Sequence, residues 1–87
     1  MTYRLRMART AARQLAENLP ESVAAAALEF VTGPLLTNPR RVGKPLRAPL
    51  DGKWWARRGQ YRVIYEINEK SEMVTVLVIA HRRDAYT

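Results

Sequence analysis

Residues 53–80 read KWWARRGQYRVIYEINEKSEMVTVLVIA, and the spacing of their apolar positions decides the fold. From 61 onward the period is two. Tyr61, Val63, Tyr65 and Ile67 fall on one face of an extended chain, and Arg62, Ile64 and Glu66 on the other. Gly59-Gln60 suits a tight turn joining this strand to KWWARR (53–58), on which Trp54 and Trp55 must face opposite ways. One tryptophan is expected in the core; the other is either a stacking platform or cover for an edge or partner. NEKSE turns the chain again. MVTVLVIA (73–80) is apolar at both parities, which predicts a central strand covered on each side.

The first half supplies the covering layer. In TYRLRMA (2–8), Tyr3, Leu5 and Met7 alternate with Arg4 and Arg6, the pattern of a half-buried strand. Thr10 is placed to N-cap a helix over 11–19 with Ala12, Leu15 and Leu19 inward. Pro20 suits the start of a second helix whose apolar stripe is Val23, Ala27, Phe30 and Val31. Gly33-Pro34 ends or kinks it, and Pro34 can open a short further turn through Leu36. Residues 37–53, with three prolines and two glycines, read as an ordered loop with turns at Asn38-Pro39 and Asp51-Gly52. The expected fold is α+β: a two-helix hairpin on one face of a mostly antiparallel sheet, in the order β-α-α-β-β-β, as a single domain over 1–87.

Composition narrows the function. The 87 residues contain no cysteine and one histidine, so thiolate and multi-histidine metal sites are excluded and no cofactor is expected. The longest apolar runs are far short of the ~20 residues of a membrane span, and a cytoplasmic protein is expected. The formal net charge is +7. Arg40, Arg41, Lys44, Arg47, Lys53, Arg57, Arg58 and Arg62 crowd into 23 residues whose sole acid is Asp51. Such a zone attracts phosphate backbones or an acidic protein; the plain alternative is a solvated charged surface.

The chain ends HRRDAYT (81–87). Antiparallel pairing of the last two strands brings residues 80–83 toward Tyr61 and Arg62. Arg62, His81, Arg82 and Tyr86 are thereby expected in one neighbourhood, with Lys53 and Arg57 on the adjacent strand. Guanidinium groups grip phosphoryl oxygens by charge-assisted, bidentate hydrogen bonds. This set suits metal-free cleavage of RNA, in which a ribose 2′-hydroxyl attacks its own phosphorus. Proton transfer has two candidates. An imidazole ordinarily titrates near ~6.5 and a phenol near ~10, and neighbouring arginines favour a phenolate; His81 and Tyr86 both stay open. The plainer readings are His81 as a strand-end cap, Tyr86 as an aromatic stacked on a base or a surface residue of the tail, and Arg82 or Arg83 paired with Asp84.

The motifs GKPLR (43–47), RRGQYRVIY (57–65) and HRRDAY (81–86), in this order and spacing, resemble the RelE/ParE superfamily of bacterial toxins, and the likeness covers nearly the whole chain. The resemblance implies the same β-α-α-β-β-β fold. It implies a toxin of a type II toxin–antitoxin module that cleaves messenger RNA in the ribosomal A site without a metal, leaving a 2′,3′-cyclic phosphate and a 5′-hydroxyl. By motif, Arg62 and Arg82 match catalytic arginines, Tyr86 the C-terminal tyrosine, and His81 a histidine that some relatives use in proton transfer. Lys53 matches a lysine before the second strand. A second lysine found in some members is replaced by Trp55, with Arg57 as a candidate substitute, and no glutamate base is evident. Lys44, Arg47, Arg57, Arg58 and Arg83 join Lys53 as expected RNA contacts. The implied partners are a ribosome carrying mRNA and a small, partly acidic antitoxin that lies across the basic zone in a hetero-oligomer. The ParE branch shares the fold but binds DNA gyrase without nuclease chemistry, and stands as the alternative.

Overall fold

The computed structural model describes residues 2–47 and 52–81. Strand β1 spans Arg4–Met7. Helix α1 covers Arg9–Arg13 and runs on as a wider π-type turn over Gln14–Asn18. Helix α2 follows over Glu21–Thr32 and a short α3 over Pro34–Thr37. Strands β2 (Lys44–Pro45), β3 (Lys53–Arg58), β4 (Tyr61–Asn68) and β5 (Met73–His81) complete the described elements. They form one five-stranded sheet in the order β1-β5-β4-β3-β2. β1 lies parallel to β5 and every other pair is antiparallel.

The helices cover one face of this sheet. Val23, Ala27, Phe30 and Val31 of α2 are buried, the stripe that the 3.6-residue period predicts. Opposite them lie Tyr61, Val63 and Tyr65 of β4 and Val74, Val76 and Ile79 of β5, all buried. Each large apolar side chain withdrawn from water here contributes about 1.5–3 kcal/mol. Two phenols fasten the layers. The Tyr61 hydroxyl donates to the Ala26 carbonyl at 3.3 Å, and the Tyr65 hydroxyl donates to the Pro39 carbonyl at 2.6 Å.

The structure differs from the sequence reading in four places. Thr10 is not the N-cap. Ala8 holds that position, because its N–H still bonds Val76 in the sheet (2.8 Å) while its carbonyl already accepts from Ala12 (3.0 Å). The loop before β3 contains β2, a two-residue ladder opposite Trp54 and Trp55 that is too short to show a period. β5 is central, between β1 and β4, but among the described residues no second layer covers its outer side. Finally, β5 carries a bulge. Tyr65 pairs with Val76 and Ile64 with Val78, so Leu77 has no residue opposite it.

The bulge resets which residues face the helices. Before it, Val74 and Val76 point inward; after it, Ile79 and His81 do. Gln14, in the π-type turn, supports this geometry. Its side-chain Oε1 accepts the Ile79 N–H at 2.7 Å. β1 ends at Met7, so this stretch of β5 lies beyond its parallel partner, and the glutamine supplies an acceptor where a strand carbonyl is missing.

Candidate functional site

The uncovered face of the sheet can be read row by row from its pairing. Arg57, Arg62 and Ala80 form one cross-strand row. Lys44, Trp55, Ile64 and Val78 form the next. Lys53, Glu66, Thr75 and Arg6 form the third. Facing residues of paired strands share a side of the sheet, so these groups project together, away from the helices.

Charge on this face is unevenly matched. Lys53 Nζ sits 3.4 Å from Glu66 Oε1. Arg57 and Arg62 lie directly opposite one another, both exposed, and neither has an ion pair among the described residues. Like charges facing across strands destabilise a sheet. Ala80 places no bulk beside Arg62. The Arg62 guanidinium carbon is instead 5.3 Å from the centre of the Trp55 ring. That contact holds an exposed arginine for about 0.5–1 kcal/mol and leaves its N–H groups available for an anion.

Beside this pair is a recess of about 320 Å³. It opens where the chain before β2 splays from β3, and Arg41, Gly43, Lys44, Trp55 and Arg57 are among its walls. Gly43 is required there. A Cβ on it would collide with the Tyr65 hydroxyl and come within 2.6 Å of the Trp55 carbonyl oxygen.

The other expected residues divide between this face and elsewhere. Lys44, Lys53 and Arg57 join Arg62. Arg47 is exposed and follows Leu46, whose N–H bonds the Lys53 carbonyl at 2.8 Å, so it stands at the border of the face. Arg58 turns to the helix side, its guanidinium carbon 4.7 Å from the Phe30 ring centre. His81 is not brought to Arg62. It pairs with Tyr61, is 9 % exposed, and shares the buried face with Ile79. The bulge explains this: an unbroken alternation would turn residue 81 outward. Arg82, Arg83 and Tyr86 lie outside the described residues.

Three tyrosines and one carboxylate carry shifted titrations among the described residues, Tyr3, Tyr61 and Tyr65 upward and Glu69 downward, none of them in the rows of this face. Burial pushes the Tyr65 phenol up to about 12, and burial likewise raises Tyr61 against the opposing charge of Arg58. Tyr3 donates to Glu69 Oε1 at 2.6 Å, and this bond holds the Glu69 carboxyl below its ordinary value. Arg40 lies 3.4 Å from the same carboxylate and 5.8 Å from the Trp54 ring centre. Arg40 is thereby tied to a carboxylate, whereas Arg57 and Arg62 have no ion pair among the described residues. Sequence reasoning did not anticipate Gln14 or Gly43 as supports. Gly43 left a signal in the glycine of GKPLR; a lone glutamine left none. Among the described residues no three His, Cys, Asp or Glu side chains cluster, and no helix is long and apolar enough to cross a membrane.

Known proteins agree with this architecture along almost its full length. The family described as "ParE toxin of type II toxin-antitoxin system, parDE" matches residues 5–86. Toxin RelE of Mycobacterium tuberculosis is 51% identical over 84 residues, covering 97% of this chain and 86% of the relative. Toxin RelG of the same organism is 45% identical over 86 residues, covering 99% and 98%. The crystal structure of the RelBE2 toxin–antitoxin complex, also from M. tuberculosis, superimposes with a TM-score of 0.90 at 44% identity, covering 94% of this chain and 100% of that one. Together with the fold, these likenesses make the chain a member of the RelE/ParE superfamily of type II toxin–antitoxin toxins.

Proposed function

We propose that this toxin is a ribosome-dependent endoribonuclease that cleaves messenger RNA in the A site. The observation that carries the reading is the Arg57–Arg62 pair, two exposed arginines at directly opposed strand positions, neither in an ion pair among the described residues. The names RelE and RelG of its close relatives support it. In the proposed reaction the 2′-oxygen forms a bond to phosphorus and the bond from phosphorus to the 5′-oxygen of the next nucleotide breaks. The products are a 2′,3′-cyclic phosphate and a 5′-hydroxyl. Arg62, joined by Arg82, binds the phosphoryl oxygens as negative charge builds on them. A base removes the 2′-proton, and the leaving 5′-oxygen gains one. The inward pairing of His81 with Tyr61 favours Tyr86 over His81 for the proton step. Lys44, Arg47, Lys53, Arg57 and Arg83 contact the RNA backbone. The proposal includes cytoplasmic action, an acidic cognate antitoxin that covers the basic face, and a toxin–antitoxin hetero-oligomer like the RelBE2 complex.

Primer extension on mRNA recovered from a translation reaction tests this. New 5′ ends inside codons are expected, and Arg62→Ala should reduce them roughly 10²–10³-fold, the usual loss for one transition-state donor. Undiminished cutting by that folded variant defeats the assignment. The matching family model is named for ParE, which motivates a second reading: inhibition of DNA gyrase by binding alone. Loss of supercoiling activity with no RNA ends would establish that reading instead.

A further inference from the structure

Trp55 stands between Arg62 on the uncovered face and the recess at the edge where the chain before β2 leaves β3, whose walls also include Ala56 and Arg58. On the β4 side its ring is approached by Arg62; on the β2 side it lines the recess beside Gly43, Lys44 and Arg57. Arg57 belongs to both, because it lines the recess and faces Arg62 across the strands. We propose that this recess is a nucleobase subsite in which Trp55 stacks one base of a single-stranded RNA while Lys44 and Arg57 hold the adjoining backbone.

Three features fit this occupant. Trp55 is half-buried, its ring is approached by Arg62, and it is among the residues that line the recess. Aromatic stacking is the commonest way a protein grips an unpaired base, because every base offers a π-face. Among the described residues the recess is flanked by cations and has no carboxylate in its walls, which suits a base attached to phosphates. The bare Gly43 backbone completes it, since a side chain there would be driven against the Tyr65 hydroxyl and the Trp55 carbonyl. The inference rests on the nuclease reading for its place beside the cleaved phosphate: a base stacked on Trp55 brings its neighbouring phosphate toward Arg57 and Arg62. Trp55 is in this sense a positioning residue, orienting Arg62 from one side and substrate from the other.

The test uses the full chain and an RNA that cannot be cut. The protein has two tryptophans, so Trp54→Phe leaves Trp55 as the sole indole, and Trp54 lies on the helix side of β3 away from the recess. Titration with a 2′-O-methyl heptamer should quench its emission. An abasic heptamer of equal charge should leave the emission unchanged and bind more weakly. In the parent protein, Trp55→Ala should weaken heptamer binding roughly 5- to 100-fold, and Trp55→Phe should retain most of it. Unchanged emission, equal affinity for the abasic chain, or parental binding by Trp55→Ala overturns the subsite. The two readings fail separately. If the parent cuts mRNA and Trp55→Ala binds and cuts as well as the parent, the subsite falls and the nuclease stands. If base-dependent quenching appears and no cutting does, the subsite stands and the nuclease falls.

Discussion

Tyr65 shows how one residue ties the recess to the core. Its side chain is fully buried, and its hydroxyl donates to Pro39 in the loop that leads to β2. Burial raises its phenol to about 12, above the ordinary 10. The folded protein therefore holds this proton more tightly than the unfolded chain. The associated stability is fully present below pH 10 and is lost as pH rises through 12, a fall on the order of 2–3 kcal/mol. Tyr65→Phe removes the titration. It also leaves the Pro39 carbonyl unpaired, at a cost of about 1–2 kcal/mol at neutral pH. Urea unfolding of the two proteins should thus differ near pH 8 and converge toward pH 12. Parallel curves across that range would show that Tyr65 does not carry the shift. Gly43 is coupled to the same hydroxyl. Gly43→Ala should destabilise the parent by roughly 1–3 kcal/mol through overpacking, and by measurably less in the Tyr65→Phe background. Additive costs in that double-mutant cycle would mean that the Trp55 carbonyl alone meets the new methyl group.

Among the elements, β5 decides which side chains reach the site. Its bulge at Leu77 turns His81 inward and leaves Ala80 beside Arg62. Gln14 anchors that arrangement through the Ile79 N–H. Gln14→Leu should leave this amide without an acceptor and cost roughly 1–3 kcal/mol, whereas Gln14→Glu retains an acceptor and should cost less. Amide exchange at Ile79 checks this directly: it should accelerate in the leucine variant, and unchanged protection would assign the anchor elsewhere. The same strand marks the limit of what the sequence discloses. β4 alternates cleanly, so both of its faces, and hence the outward direction of Arg62, are legible from Tyr61 to Ile67. The stripe of α2 is legible residue by residue, because its period is undisturbed. MVTVLVIAH offers apolar residues at both parities, so an inserted residue leaves no mark on the pattern, and His81, expected near Arg62, pairs inward with Tyr61. The acceptor that fixes the bulge lies 65 positions away in the chain, beyond any local signal. β2 is hidden for another reason: two residues have no period, and only the β3 edge defines them as a strand.

For the molecule as a whole, the decisive property is a net charge of +7 with an unneutralised part of it on one face. Phosphate binding by Lys44, Arg57 and Arg62 releases counterions, and for a single-stranded RNA the logarithm of affinity falls by about 0.7 per contact for each tenfold rise in salt. Three such contacts give a slope near −2. Stacking releases no counterions. The two kinds of contact on this face should therefore separate in one experiment, binding of the uncleavable heptamer between low and moderate salt. Arg57→Ala and Arg62→Ala should each make the slope shallower by roughly 0.7. Trp55→Ala should lower affinity at every salt concentration and leave the slope intact, unless the indole holds Arg62 against the phosphate. In that case its slope shifts toward that of Arg62→Ala, and the 5.3 Å contact between guanidinium and ring is a working part of the phosphate site. A slope near zero in the parent would mean that the exposed guanidinium pair does not meet RNA phosphates at all. The basic face would then serve a different acidic partner, and both the nuclease reading and the position of the base subsite beside it would have to be given up.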